Sequence, residues 1–122
     1  MKILFPFVGD SVGGSHISTL ELYSSLLDEN ISAIIVIHKD NGPLSQYLIN
    51  KNIPFSILKT SKLAGETPGK LSILIGMLTN FFYFGNFIKK NEIDIVHGND
   101  LRINLSWSLP AKFFSQGFVW HQ

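Results

Sequence analysis

Cysteine is missing from all 122 residues, which excludes disulfides and thiolate-ligated metal sites and fits a reducing compartment. Net charge is nearly missing as well, at +1. No secretory signal is expected, because Pro6, Gly9 and Asp10 interrupt the apolar N-terminus before a signal core forms. There is no internal repeat, no low-complexity tract and no basic-aromatic pattern of a nucleic-acid module. The four histidines lack metal-ligand spacing, and none has a carboxylate partner of the kind a hydrolytic triad needs. No metal, cofactor or nucleic acid is therefore expected.

What is there suffices for one domain. The length is near the modal domain size, and 45% apolar residues supply a core. Charge is unevenly spread: Lys51, Lys59, Lys62, Lys70, Lys89 and Lys90 face only Glu66, so residues 51 to 90 carry +5. These lysines read either as ordinary solubilising charge or as a surface for an anionic membrane or substrate.

The apolar pattern alternates between two periods. Lys2 to Val8 reads as a buried strand and Ile17 to Asp28 as a helix. Ser15 is expected as its cap, with Ser18 and Glu21 spaced like a capping box and Asn30 as a left-handed stop. Ser32 to His38 holds the β-branched run Ile34-Ile35-Val36-Ile37, expected of a strand covered on both faces. Asp40 to Pro43 is a turn, Leu44 to Asn52 a short helix, Pro54 to Leu58 a strand and residues 59 to 70 a loop. After a long apolar helix come a strand at Ile93 to His97, a helix at Leu101 to Ser108 and a strand at Gly117 to His121. Strands separated by helices imply an α/β, doubly wound parallel sheet.

The long helix is the membrane question, because Leu71 to Ile88 carries no formal charge over eighteen residues. Ser72, Gly76, Thr79, Tyr83, Asn86 and Lys90 recur in steps of four and three and form a polar stripe. The opposite face, Leu74, Ile75, Leu78, Phe81, Phe82 and Ile88, is expected to lie buried on the sheet, so that Leu78→Asp would be strongly destabilising. Spanning would put a bilayer between strands of one sheet, so surface contact is the only membrane role the fold allows.

Gly13-Gly14-Ser15-His16 sits between the first strand and the first helix, bringing bare backbone N–H groups and a helix N-terminus to one point. The glycine spacing fails the dinucleotide pattern and no P-loop lysine follows. In a doubly wound sheet ligands bind beyond the carboxyl ends of the strands, where His97-Gly98-Asn99-Asp100 and His121-Gln122 also end strands. His16 reads as a helix cap or a ligand contact, in the neutral form that a helix dipole favours, and His97 and His121 each have a structural and a ligand reading.

The order of apolar strand, Gly13-Gly14-Ser15-His16, the helix from Thr19, the strand Ala33 to Ile37, Ile93-Asp94-Ile95-Val96-His97-Gly98-Asn99-Asp100 and Phe118-Val119-Trp120-His121 resembles the N-terminal, acceptor-side domain of family 4 type retaining glycosyltransferases of the GT-B fold. The resemblance covers essentially the whole chain and implies a Rossmann-like domain of a cytoplasmic or inner-membrane-face transferase. Its partners would be a nucleotide-sugar donor and a sugar or lipid-linked acceptor. It implies Gly13 and Gly14 at the donor diphosphate, His121 as the catalytic late histidine, and Ser15, His16, Asn99 and Asp100 as acceptor or sugar contacts. Asn30 stands where the family commonly has glycine. The family's donor-binding domain, with its paired glutamates, does not occur within these residues, so the expectation is half an enzyme: a truncated product, a fragment or one subunit of a split transferase. A noncatalytic binding or membrane-docking module that recruits a catalytic subunit is the alternative.

Overall fold

The computed structural model describes residues 1–60 and 69–120. Five parallel strands form one sheet in the order β3-β2-β1-β4-β5: β1 Lys2–Phe7, β2 Ser32–Ile37, β3 Ser56–Ile57, β4 Ile95–Gly98 and β5 Gly117–Trp120. Between them run α1 Gly14–Asp28, α2 Pro43–Asn50, α3 Lys70–Lys90 and α4 Leu101–Phe114. The doubly wound, Rossmann-like expectation is borne out. Most of the expected loop at 59 to 70 lies outside the described residues.

Strand alternation divides the core in two. Phe5, Phe7, Ile35 and Ile37 meet Leu20 and Tyr23 of α1 and Leu44 and Leu48 of α2. Leu4, Val8, Val36 and Val96 point the other way, onto Phe84 and Ile88 of α3 and Ile103 and Trp107 of α4. In that second layer Phe84 stacks on Trp107 with centroids 4.1 Å apart, and the Trp107 indole N–H donates to Nε2 of His38 at 2.9 Å. His38 Nδ1 lies 2.8 Å from the Leu58 carbonyl; because Nε2 accepts from the indole, Nδ1 carries the proton.

Three helices end in the same way. Asn30, Asn52 and Glu92 adopt left-handed φ of 62°, 56° and 55°, and the N–H of the isoleucine after each reaches back to Leu26, Leu48 and Ile88 at 2.9, 2.9 and 3.0 Å. These are Schellman stops; of the three isoleucines that follow, Ile93 is buried in the core and Ile53 packs against it. The left-handed role expected of Asn30 is thus seen.

Two helix expectations need correcting. α4 does not end at Ser108 but runs on through Pro110 to Phe114; Pro110 and Ala111 are buried, and the ring of Phe114 packs on Phe81 and over Gly85 of α3. That packing compensates the backbone bond a mid-helix proline removes. The larger correction concerns α3. Among its described positions Asn80, Phe84, Gly85 and Ile88 are buried, whereas Leu74, Ile75, Leu78 and Phe82 are 51%, 51%, 60% and 75% exposed. Leu78→Asp should therefore unfold nothing.

The cause is length. Asn91 lies at the starting edge of the sheet, where its carbonyl accepts from Lys2 Nζ, while Asn80 and Tyr83 meet Thr60 and Lys59 just past the end of β3. The stretch from 80 to 91 therefore spans the sheet, and Lys70 to Thr79, about 15 Å of helix, projects beyond its carboxyl edge with none of the described strands beneath it. No described helix is long and apolar enough to cross a membrane.

Candidate functional site

Strand order reverses between β1 and β4, the place where such sheets open a ligand crevice. Pairing of β1 with β2 continues from Lys2 opposite Ser32 to Phe7 opposite Ile37, but pairing with β4 stops after Ile3 opposite Ile95 and Leu4 opposite Val96. Pro6 explains the stop. A strand residue directs its N–H and C=O to one side, and the Pro6 carbonyl accepts from Asn99 Nδ2 at 2.7 Å, so the N–H that proline lacks is missing on the β4 side. Asn99, 4% exposed, spans the gap with a side chain in place of a backbone ladder.

On the β1 side, Gly9 has φ +100°, and a Cβ there would run into Ile37 and the Lys39 carbonyl. A Cβ on Gly42, the residue before α2, would collide with the Gly9 carbonyl. The loop is therefore seated tightly at its base. At its far end the requirement vanishes: a Cβ on Gly14 meets nothing within 4 Å, and one on Gly13 meets only His16 Nδ1 at 3.6 Å. Folding does not demand glycine at 13 or 14, so packing does not account for the pair.

Helix α1 begins one turn earlier than expected. Gly13, not Ser15, is the cap residue, and Ser15 lies within the first turn with its carbonyl accepting from Thr19 Oγ1 at 2.8 Å. Ser18 and Glu21 lie inside the helix and form no capping box. His16 fills the capping role, because its Nδ1 accepts the Gly13 N–H at 2.9 Å. That bond fixes the neutral tautomer with the proton on Nε2. It also occupies the Gly13 N–H, leaving the first-turn N–H groups of Gly14 and Ser15 as the ones suited to an anion.

Across the crevice, Asp100 caps α4, accepting the Arg102 N–H at 2.7 Å. Arg102 then reaches back to the glycine loop, where Nη1 and Nη2 donate to Asp10 at 2.7 and 3.0 Å. The hydrogen bond from Arg102 holds the Asp10 carboxyl below its usual range. Behind this clasp Asn104 is fully buried against Gly98, with neither its oxygen nor its nitrogen partnered among the described residues.

The structure thus gathers Gly13, Gly14, Ser15 and His16 on one lip and Asn99 and Asp100 on the other, joined by Asp10 and Arg102. His97 lies within β4, not past its end; it is 8% exposed with its ring 5.1 Å from Phe5. His121 and Gln122 lie outside the described residues. Sequence reasoning missed Pro6, Asp10, Arg102 and Asn104. One signal was available: Arg102 is the only arginine and directly follows a strand's polar end. A hollow of about 390 Å³ between α1 and α2, lined by Ile17, Glu21, Tyr47 and Lys51 among others, lies apart from this crevice and converges no comparable set of groups.

The chain matches no family model and no curated protein. Solved structures do share its fold. MurG of Acinetobacter baumannii superposes with a TM-score of 0.66 at 16% identity, over 96% of this chain and 33% of that one. A glycosyltransferase from Rickettsia africae superposes with a TM-score of 0.65 at 20% identity, over 97% of this chain and 28% of that one. The chain spans about a third of their length, and its fold is the Rossmann-like fold of one portion of these GT-B glycosyltransferases.

Proposed function

We propose that this domain is the N-terminal, acceptor-side half of a retaining glycosyltransferase of the family 4 type, completed by a donor-binding domain. The observation that carries the reading is the glycine pair: Gly14 has open space where a Cβ would stand, at a helix N-terminus on the rim of the switch-point crevice. The N–H groups of Gly14 and Ser15 would stabilise negative charge on a departing nucleoside diphosphate. The Nε2–H of His16 would donate to a sugar hydroxyl, and Asn99 and Asp100 would bound the acceptor from the opposite lip. His121 keeps the role of late histidine beside the transferred sugar. No metal or cofactor enters this scheme.

Cytoplasmic placement at a membrane face belongs to the same proposal and is supported by the exposed apolar half of α3 beside the lysine-rich stretch. That face equally supports the second reading, a docking module that recruits a separate catalytic subunit.

The test is a transfer assay with UDP-, GDP- and ADP-sugars, using the chain alone and supplemented with a GT-B donor-binding domain, and reading the product anomer by NMR. Transfer only on supplementation, with the donor's anomeric configuration kept and a tenfold or greater loss on Gly14→Leu, is expected. Robust transfer by the chain alone would overturn the half-enzyme reading, and an inverted product would overturn retention. Absence of transfer with every donor and domain would leave the docking module as the better account.

A further inference from the structure

We infer that the Asp10–Arg102 clasp is a latch across the switch-point crevice, opened when a phosphate-bearing ligand takes Arg102 away from Asp10. Arg102 is then the guanidinium of the anion site, and Asp10 is its built-in competitor. That the ligand is a nucleoside diphosphate rests on the transferase reading above; the latch is a property of this chain's own residues.

The place of the clasp is fixed by what lies under it. Asn99 bridges the gap between β1 and β4, its Nδ2 donating to the Pro6 carbonyl. Beyond that bridge, further along the chain on both sides, Asp10 and Arg102 close over the same gap. Asn99 Oδ1 is buried and accepts no hydrogen bond among the described residues, and the buried amide of Asn104 is in the same state at both of its polar atoms. Polar atoms so placed are costly to leave unpaired. A crevice that its ligand completes accounts for them, and one that stays shut does not.

Charge and geometry decide which side of the clasp lets go. Asp10 holds the guanidinium at 2.7 and 3.0 Å, and Asp100 touches it at 3.4 Å, so the closed mouth sets two carboxylates against one cation. Asp100 also caps α4 through the Arg102 N–H at 2.7 Å, so it cannot follow the guanidinium outward. The Asp10 pair is partly exposed and therefore opens at little cost, while a phosphate offers Arg102 the same bidentate geometry with more charge. Asp10 is not stranded on release, because Lys39 also favours its charge. The loop need not swing, since Gly9 is wedged against Ile37 and the Lys39 carbonyl; side chains make the exchange. The N–H groups of Gly14 and Ser15, at the other end of the same short loop, then share the anion with Arg102.

The test is titration of the full chain with inorganic pyrophosphate and, separately, with glycerol phosphate at constant ionic strength, read by NMR at the Gly14 amide and the Arg102 Nε–H. Pyrophosphate should move both signals and bind more tightly than glycerol phosphate. Asp10→Asn should tighten pyrophosphate binding about fivefold, because Arg102 is then available a larger fraction of the time. Arg102→Gln should weaken it about tenfold or more. The double variant should bind as weakly as Arg102→Gln alone, since the competitor acts only through Arg102.

Unchanged or weaker binding by Asp10→Asn would make the clasp a structural tie and overturn the latch. So would a tightening that persists in the Arg102→Gln background, which would be general charge repulsion. Glycerol phosphate binding as well as pyrophosphate would overturn the diphosphate assignment. A response at Gly14 without one at Arg102 would remove the latch and leave the transferase reading standing. No pyrophosphate binding by any variant would also remove the latch, and the transfer assay with a donor-binding domain decides the transferase reading separately.

Discussion

Arg102 closes both ends of its guanidinium on the carboxylate of Asp10, a residue 92 positions earlier, and so ties the first turn of α4 to the glycine loop across the switch point. The pair is only partly shielded, at 26% and 38% side-chain exposure, so its value is specificity of loop placement more than energy.

Acid should weaken this tie. The hydrogen bond from Arg102 lowers the folded value of Asp10 below 3.8, so the pair's contribution is present above that pH and is lost as pH falls through the folded value. Asp10→Asn should cost less than about 1 kcal/mol at neutral pH, and the gap from wild type should narrow in thermal melts as pH falls below the ordinary carboxylate range. At the alkaline end, burial raises the Tyr23 hydroxyl, so stability holds below pH 10 and falls as pH rises through the folded value.

Trp107→Phe should cost about 2–4 kcal/mol in urea unfolding. It removes a buried donor from His38 Nε2 and shrinks a ring that stacks on Phe84. A loss under about 0.5 kcal/mol would mean that the indole bond adds nothing net.

The two ends of the glycine loop should respond in opposite ways to alanine. Gly9→Ala forces a Cβ into Ile37 and a backbone carbonyl at a left-handed φ and should cost more than about 2 kcal/mol. Gly14→Ala enters open space in a helical turn and should leave the melting temperature unchanged or slightly raised. Comparable destabilisation at both positions would remove the case for a ligand-facing Gly14.

Glu92 occupies the left-handed position that asparagine takes in the other two Schellman stops. Glu92→Gly should stabilise the domain by about 0.5–1 kcal/mol, read as a higher melting temperature.

The sheet was legible in the sequence because its evidence is local. Ile34-Ile35-Val36-Ile37 could only be a strand covered on both faces, and Asn30 signalled its own left-handed turn. The buried face of α3 was not legible. Periodicity finds an apolar stripe but does not know where the sheet beneath it ends, so Leu74, Ile75 and Leu78 read as core when they hang past the edge. The end of α4, expected at Ser108, was missed for a related reason, since the turn beyond Pro110 is held by Phe114 packing on another helix. At the site, the glycine pair was visible, but the His16 bond that occupies Gly13 and the clasp from Arg102 to Asp10 depend on three-dimensional closure.

Pro6 gives the crevice a chemical origin in the backbone of β1. A ring closed on one nitrogen halts the unzipped half of β1 from joining β4, as a bent tooth halts a zip fastener, and the opening it leaves is as wide as the asparagine that bridges it. A valine at position 6 would restore the missing donor and invite the two strands to pair further. The domain would then gain hydrogen bonds and lose the mouth of its crevice, so a more stable sheet here would be a less open one.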